Sequence, residues 1–206
     1  MKEDIQNFKD RHSGETFVIF GSGPTLLDWK DSYCPGAIKV GCNTVFMHKP
    51  DLDYYFIQDS GHVTKSENGY YKYQEKYDRY QPSIAKFYGV SYFPNGCMHQ
   101  HSMREWDIVN GGAIRYAMGE DFTEFYSVIF SCLQFARLCG AKKIIMVGCD
   151  VTNNIRAGED NEHNGYKITN LIYRWGRFKE SFPELNIEVF KPIGLKHLFN
   201  EFIPCV

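Results

Sequence analysis

The residues most able to do chemistry sit in short polar stretches that close apolar runs. "GSGPT" (Gly21, Ser22, Gly23, Pro24, Thr25) follows "TFVIF" and is followed at once by a new apolar pattern. Glycines let the backbone approach a ligand, and the N–H groups at a helix start favour an anion, so this turn is expected to hold a phosphate. A tight strand-to-helix turn with no ligand uses the same residues. It is not a Walker loop, because no Gly-Lys-Ser/Thr follows, and Leu26 stands where G-x-G-x-x-G has its third glycine. Asn43 closes "VGCN", Gln58, Asp59 and Ser60 close "FIQDS", and Asp150 closes "MVGCD". These amides, hydroxyls and carboxylates suit a polar ligand. His163 lies in the polar stretch "EDNEHNGY", where an imidazole can serve as a base near neutral pH or be a plain solvated side chain.

The elements around these stretches set where they lie. "TFVIFG", "AIKVGCN", "DYYFIQDS", "IAKFYGVSYF", "AKKIIMVGCD" and "NIEVFK" read as strands. "PTLLDWKD" reads as a helix with proline in its first turn, "EFYSVIFSCLQFARLCG" as the clearest amphipathic helix, and "YKITNLIYRWGRFKESFP" and "GLKHLFNEF" as further helices. A short polar helix is expected within residues 2–12, and a tyrosine-rich surface helix or excursion over 66–82. Residues 94–123 read as irregular. Apolar strands alternating with helices predict an α/β fold: a Rossmann-like, mostly parallel sheet with helices on both faces. A single domain over 1–206 is expected, with 61–123 as an insertion or lid. In such sheets ligands bind outside the carboxyl ends of the strands, so the polar stretches converge on one rim.

Composition narrows the classes. The chain has 206 residues, 43 % hydrophobic and 23 % charged, with a net charge of −2. That balance gives no basic field for nucleic acid and is ordinary for a globular protein. Aromatics reach 16 %, enough for a core, a stacking site or a homo-oligomer interface. The 7 cysteines are odd in number and none is spaced C-x-x-C, so they read as reduced thiols of a cytoplasmic protein. The polar N-terminus lacks a signal-peptide core, and no stretch reaches the length of a membrane span. "DLD" at 51–53 imitates a D-x-D metal motif but precedes its strand, so it reads as a strand start. "CMHQH" (Cys97, His99, His101) lacks a second spaced pair and reads as surface rather than zinc. Arg104 and Arg115 read as ordinary exposed arginines.

Taken together, G-x-G-P-[ST]-L after the first strand, Cys-Asn after the second, and "LCGAKKIIMVGCD" resemble two related groups. One is the bacterial α-2,3/2,8-sialyltransferases that use CMP-sialic acid. The other is the MptE-like proteins, which include archaeal hydroxymethylpterin pyrophosphokinases and motility-associated glycosylation factors. The resemblance covers residues 16–60 and 124–200. It implies that Gly21 to Thr25 form the donor-binding turn, with Ser22 where the family commonly has asparagine. It also implies donor contacts at Asn43, at Gln58 to Ser60, and at Ser127, which falls near the family's Ser-Gly pair. His163 matches the catalytic base, which takes the proton from an acceptor hydroxyl, and Tyr166 or a tyrosine from 70–80 would donate to the leaving phosphate. The implied activity is transfer of a sugar from a CMP-linked donor to a glycan or protein acceptor, with no metal or other cofactor required. The MptE-like alternative is an ATP-using diphosphokinase with Asp59 and Asp150 near Mg²⁺. A nucleotide-binding module without catalysis is the third expectation.

Overall fold

The computed structural model describes residues 5–57, 79–89, 105–109, 113–117, 127–152 and 168–204. Nine strands form one sheet. They are β1 (Thr16–Phe20), β2 (Ile38–Cys42), β3 (Tyr54–Ile57), β4 (Ala85–Gly89), β5 (Glu105–Val109), β6 (Ala113–Ala117), β7 (Lys143–Val147), β8 (Ile187–Phe190) and β9 (Asn200–Phe202). The order is β6-β5-β4-β3-β2-β1-β7-β8-β9. Seven strands run parallel, and β5 and β6 add an antiparallel pair beside β4. The chain builds outward from β1 to β4, then returns to place β7 on the other side of β1, where Phe17 faces Ile38 on one flank and Ile144 on the other. This is the Rossmann-like arrangement, with its reversal of strand order between β1 and β7.

Alternation along the strands feeds two cores. Phe17, Ile19, Tyr54, Phe56, Phe87, Ile144 and Met146 face helices α1 (Val128–Leu138) and α2 (Ile168–Ser181). Val18, Phe20, Tyr55, Ile145 and Val147 face the other way, onto Leu26, Trp29, Val45 and Leu52. On that second face the described cover is made of short 3-10 helices, among them Pro24–Asp28 and Asn43–Met47. The expected helix "PTLLDWKD" is therefore corrected to five 3-10 residues. Trp29 ends it in an extended conformation and turns its indole against Tyr33, Phe190 and Phe202, at centroid distances of 5.5, 5.2 and 5.7 Å. Burial of a large aromatic outweighs another turn of marginal helix.

Other expectations change for similar reasons. "GLKHLFNEF" forms turns and then β9, because β8 offers an open edge and Phe202 joins the core beside Trp29. Residues 94–123, expected as irregular, contain β5 and β6, where Glu105, Asp107 and Arg115 interrupt the apolar run that marks a buried strand. In the N-terminal segment the described helix is only the 3-10 turn Ile5–Phe8. The backbone N–H groups of Asp10, His12 and Gly14 then donate to the carbonyls of Leu138, Cys139 and Gly140, capping the end of α1. Phe8 is buried against Tyr54, Phe87 and Phe135. His12 bridges Glu15 and the Tyr54 hydroxyl, each at 2.7 Å. Tyr54→Phe is expected to cost about 1 kcal/mol in urea unfolding, and no loss would show that the bridge contributes nothing.

"DLD" is structural, as its position implied. Asp51 pairs with Lys39 and Lys49, and Asp53 accepts from the Lys39 backbone N–H at 2.8 Å and the Ser83 hydroxyl at 2.7 Å. Burial would raise the Asp51 carboxyl, but the Lys39 hydrogen bond and the Lys49 charge hold it well below the usual carboxylate range. Among the described residues, no helix is long and apolar enough to cross a membrane.

Candidate functional site

The reversal at β1 and β7 creates the crevice where the glycine turn lies. Gly21 N–H donates to Val147 O at 2.7 Å and Gly23 N–H to Gly148 O at 2.8 Å, so the two strand ends stay bonded beyond the sheet. A Cβ on Gly21 would lie 2.6 Å from Gly148 O, and one on Gly23 would lie 2.5 Å from Asp150 Oδ2. These glycines are needed for one part of the chain to approach another.

What the turn holds is Asp150. Its Oδ2 accepts from the Thr25 backbone N–H at 2.9 Å, and its Oδ1 accepts from the Thr25 hydroxyl. Asp150 is 5 % exposed and Thr25 6 %. The expectation that Gly21 to Thr25 hold a phosphate at a helix start has fewer donors to rest on, because the N–H groups of Gly21, Gly23 and Thr25 are engaged within the chain. The helix is a short 3-10 segment with little dipole, and the Thr25 N–H is bound to an internal carboxylate. Both Asp150 oxygens accept from Thr25.

Burial pushes the Asp150 carboxyl upward, against the lowering effect of the Thr25 bonds and with a small push from Asp28. Its effect on stability has a definite sign. The unfolded carboxyl ionises first, near pH 3.9, and the folded one later, so this group's contribution is full below that range and declines as pH rises through the folded value. Wild-type unfolding free energy should therefore fall relative to Asp150→Asn from about pH 4 towards neutrality. Parallel pH curves for the two proteins would contradict the raised value.

Helix α1 supplies the other wall. Its end is capped by residues 10–14, just before β1 begins, so it runs from the carboxyl edge of the sheet to the amino edge. Cys132, in its second turn, hydrogen-bonds Cys42 at the end of β2, with Cys149 beside them. Burial pushes the Cys132 and Cys149 thiols well above their ordinary values, so these two thiols stay protonated and inert. The described cysteines are free, as expected. Ser127 is the N-cap of α1, and its side chain makes no capping bond. The N–H groups of the first turn face the crevice end of the helix.

Asn43 adopts a left-handed φ of 49°, and its carbonyl accepts from the Tyr55 hydroxyl. The next residue, Thr44, is 4 % exposed. Among the described residues its hydroxyl has no hydrogen-bond partner, an arrangement that points to a polar group not supplied by this part of the chain. Compared with known proteins, the chain matches no family model, no curated protein and no solved structure.

The structure thus joins Gly21, Gly23, Thr25 and Asp150 directly, and topology brings Ser22, Asn43 and Ser127 to the same edge. Pro24 begins the 3-10 turn and is exposed. Gln58, Asp59, Ser60, His163 and Tyr166 lie outside the described residues, as do Cys97, His99, His101 and Arg104. Tyr80, the described member of the tyrosine-rich stretch, stacks on Phe46 at 4.9 Å and donates to Pro50 O at 2.8 Å, with its hydroxyl pushed up by burial to about 12. No group of three or more His, Cys, Asp or Glu side chains among the described residues is arranged to hold a metal ion.

Sequence reasoning missed Thr44 and Lys86. Lys86 is 1 % exposed on β4, with its Nζ donating to Tyr80 O at 2.9 Å. A lysine alone between apolar neighbours in "IAKFYG" was the available signal, since lysine is almost never buried without partners.

Proposed function

We propose that the crevice at the β1/β7 reversal binds a nucleotide-activated sugar and that the protein transfers the sugar to an acceptor hydroxyl. The observations that carry this reading are the buried Thr44, whose hydroxyl has no hydrogen-bond partner among the described residues, and the N-terminus of α1 with no side-chain cap, both at the carboxyl edge of a parallel sheet. The nucleotide phosphate is assigned to the α1 N-terminus and Ser127 rather than to the glycine turn, whose Thr25 N–H is engaged by Asp150. Asn43 and Thr44 contact the nucleoside side of the ligand. The donor class, a CMP-linked sugar of the sialic acid type, comes from the sequence resemblance. So do the roles of His163 as base for the acceptor and Tyr166 as donor to the leaving phosphate. As the sugar–phosphate bond breaks, the anomeric carbon becomes oxocarbenium-like, and neutral hydroxyl donors with helix N–H groups stabilise the departing phosphate. The diphosphokinase reading is the alternative, with Asp150 beside Mg²⁺ through the lone pairs that its bonds to Thr25 leave free.

Calorimetric titration with CMP, CDP, ATP and GDP, each with and without Mg²⁺, tests the reading. CMP or CDP should bind without metal, and Thr44→Val or Ser127→Ala should weaken that binding about tenfold, equivalent to about 1.4 kcal/mol. His163→Ala should leave binding intact and abolish transfer. Mg²⁺-dependent ATP binding would move the assignment to the diphosphokinase. Binding with no turnover over a broad acceptor panel would leave a non-catalytic module, and silence from all four nucleotides would remove the nucleotide reading.

A further inference from the structure

A separate feature of the same rim does not depend on any nucleotide. Beside the crevice, the turn after β1, the turn after β7 and the loop after β8 meet at Asp150. Its carboxyl holds Thr25 in the first of these. Its backbone carbonyl accepts from Gly194 N–H, in the last, at 2.8 Å. Lys191 and Asp28 join the same loop and turn from outside at 2.8 Å.

Between these two anchors the chain is strained. Val151 has a φ of 46°, a left-handed conformation that a β-branched residue strongly resists. Contact is tight as well: a Cβ on Gly194 would lie 2.0 Å from Val151 O. Strain of this kind persists only when the surroundings over-determine it, and here the two Asp150 anchors act together with the packing of Val151 against the core. The peptide unit joining Asp150 to Val151 carries the carbonyl that Gly194 binds. Rotation of Val151 to an ordinary φ turns this peptide unit relative to the chain that follows, and with Val151 held by its packing against the core it is the carbonyl that leaves Gly194.

We propose that Asp150 and Val151 form a sprung clamp that closes this rim, so that release of Thr25 by the Asp150 carboxyl and release of the 191–194 loop are one event. In the closed state the carboxyl bonds hold Val151 against its preference. In the open state Val151 relaxes, the Gly194 bond breaks, and the loop bearing the half-exposed Ile193 separates from the turn bearing the exposed Leu27. Asp150 acts here as a positioning residue.

Amide hydrogen exchange at Thr25 and Gly194 in the full chain, without ligand, reads the clamp. Asp150→Ala should lower protection at both amides together, by at least tenfold. Val151→Asn keeps the anchors and supplies a residue that tolerates the left-handed region, so it should raise protection at both by several-fold. If Asp150→Ala does not fold, Val151→Asn alone decides. Loss of protection at Thr25 with Gly194 unchanged would overturn the coupling. Unchanged or reduced protection at either amide in Val151→Asn would overturn the spring. Lys191→Ala, which removes only the outer ion pair, should shift neither amide by more than about twofold, as expected for an exposed pair, and a larger shift would assign the closure to that pair instead.

Discussion

Gly148→Ala is expected to destabilise the protein by about 3 to 5 kcal/mol. Two causes add. Gly148 has a φ of 68°, where an L residue is disfavoured by about 1 to 2 kcal/mol. Its new Cβ would also lie 2.3 Å from Gly21 O, a backbone atom that cannot rotate away. Relief requires parting β1 from β7 at the reversal, which breaks the Gly21–Val147 and Gly23–Gly148 bonds. Gly36→Ala separates the two causes. Its φ is 75° but nothing lies within 4 Å of its new Cβ, so only the conformational cost of about 1 kcal/mol remains. Urea unfolding of the pair measures the difference. Equal losses would mean that the close approach at Gly148 costs nothing, and that the strand ends are not locked together.

Phe135→Ala should cost about 3 to 5 kcal/mol by emptying the centre of the α1 face. Phe135 is fully buried, and its ring lies 4.8 Å from Tyr54, 5.3 Å from Phe56, 5.0 Å from Phe87 and 5.5 Å from Phe8. These partners come from β3, β4 and the N-terminal segment, so one truncation opens a cavity shared by elements that cannot collapse together. For a chain of this size the loss corresponds to a fall in Tm of roughly 10 °C. Phe135→Leu, which restores most of the volume, should cost about 1.5 kcal/mol or less. A loss below about 1 kcal/mol for the alanine variant would mean that α1 is not the keystone of this core. If the crevice binds a nucleotide as proposed, loosening α1 in Phe135→Ala should also lower that affinity.

The parallel sheet and α1 were legible because their signal is local. Runs such as "TFVIF" and "KIIMV" are apolar at every position, as strands buried on both faces must be, and "VIFSCLQFARL" repeats at helical spacing. The meeting of polar residues at one edge followed from the direction of parallel strands. Elements whose identity depends on distant partners were not legible. "PTLLD" stops short because Trp29 finds Phe190 and Phe202, and "NEF" becomes a strand because β8 has an open edge.

The deepest limit concerns the glycine turn itself. The sequence by itself determined that "GSGPT" would be a close-approach turn at the end of a buried strand, because only glycine leaves room there. It could not say what approaches. A phosphate and a carboxylate both seek the same N–H and hydroxyl donors, and the turn residues are equally suited to either. Only the tertiary structure shows that a carboxylate approaches, by bringing Asp150, 125 residues further along the chain, onto Thr25. That choice rests on the reversal of strand order that sets β7 beside β1, a long-range pairing that local sequence patterns do not encode.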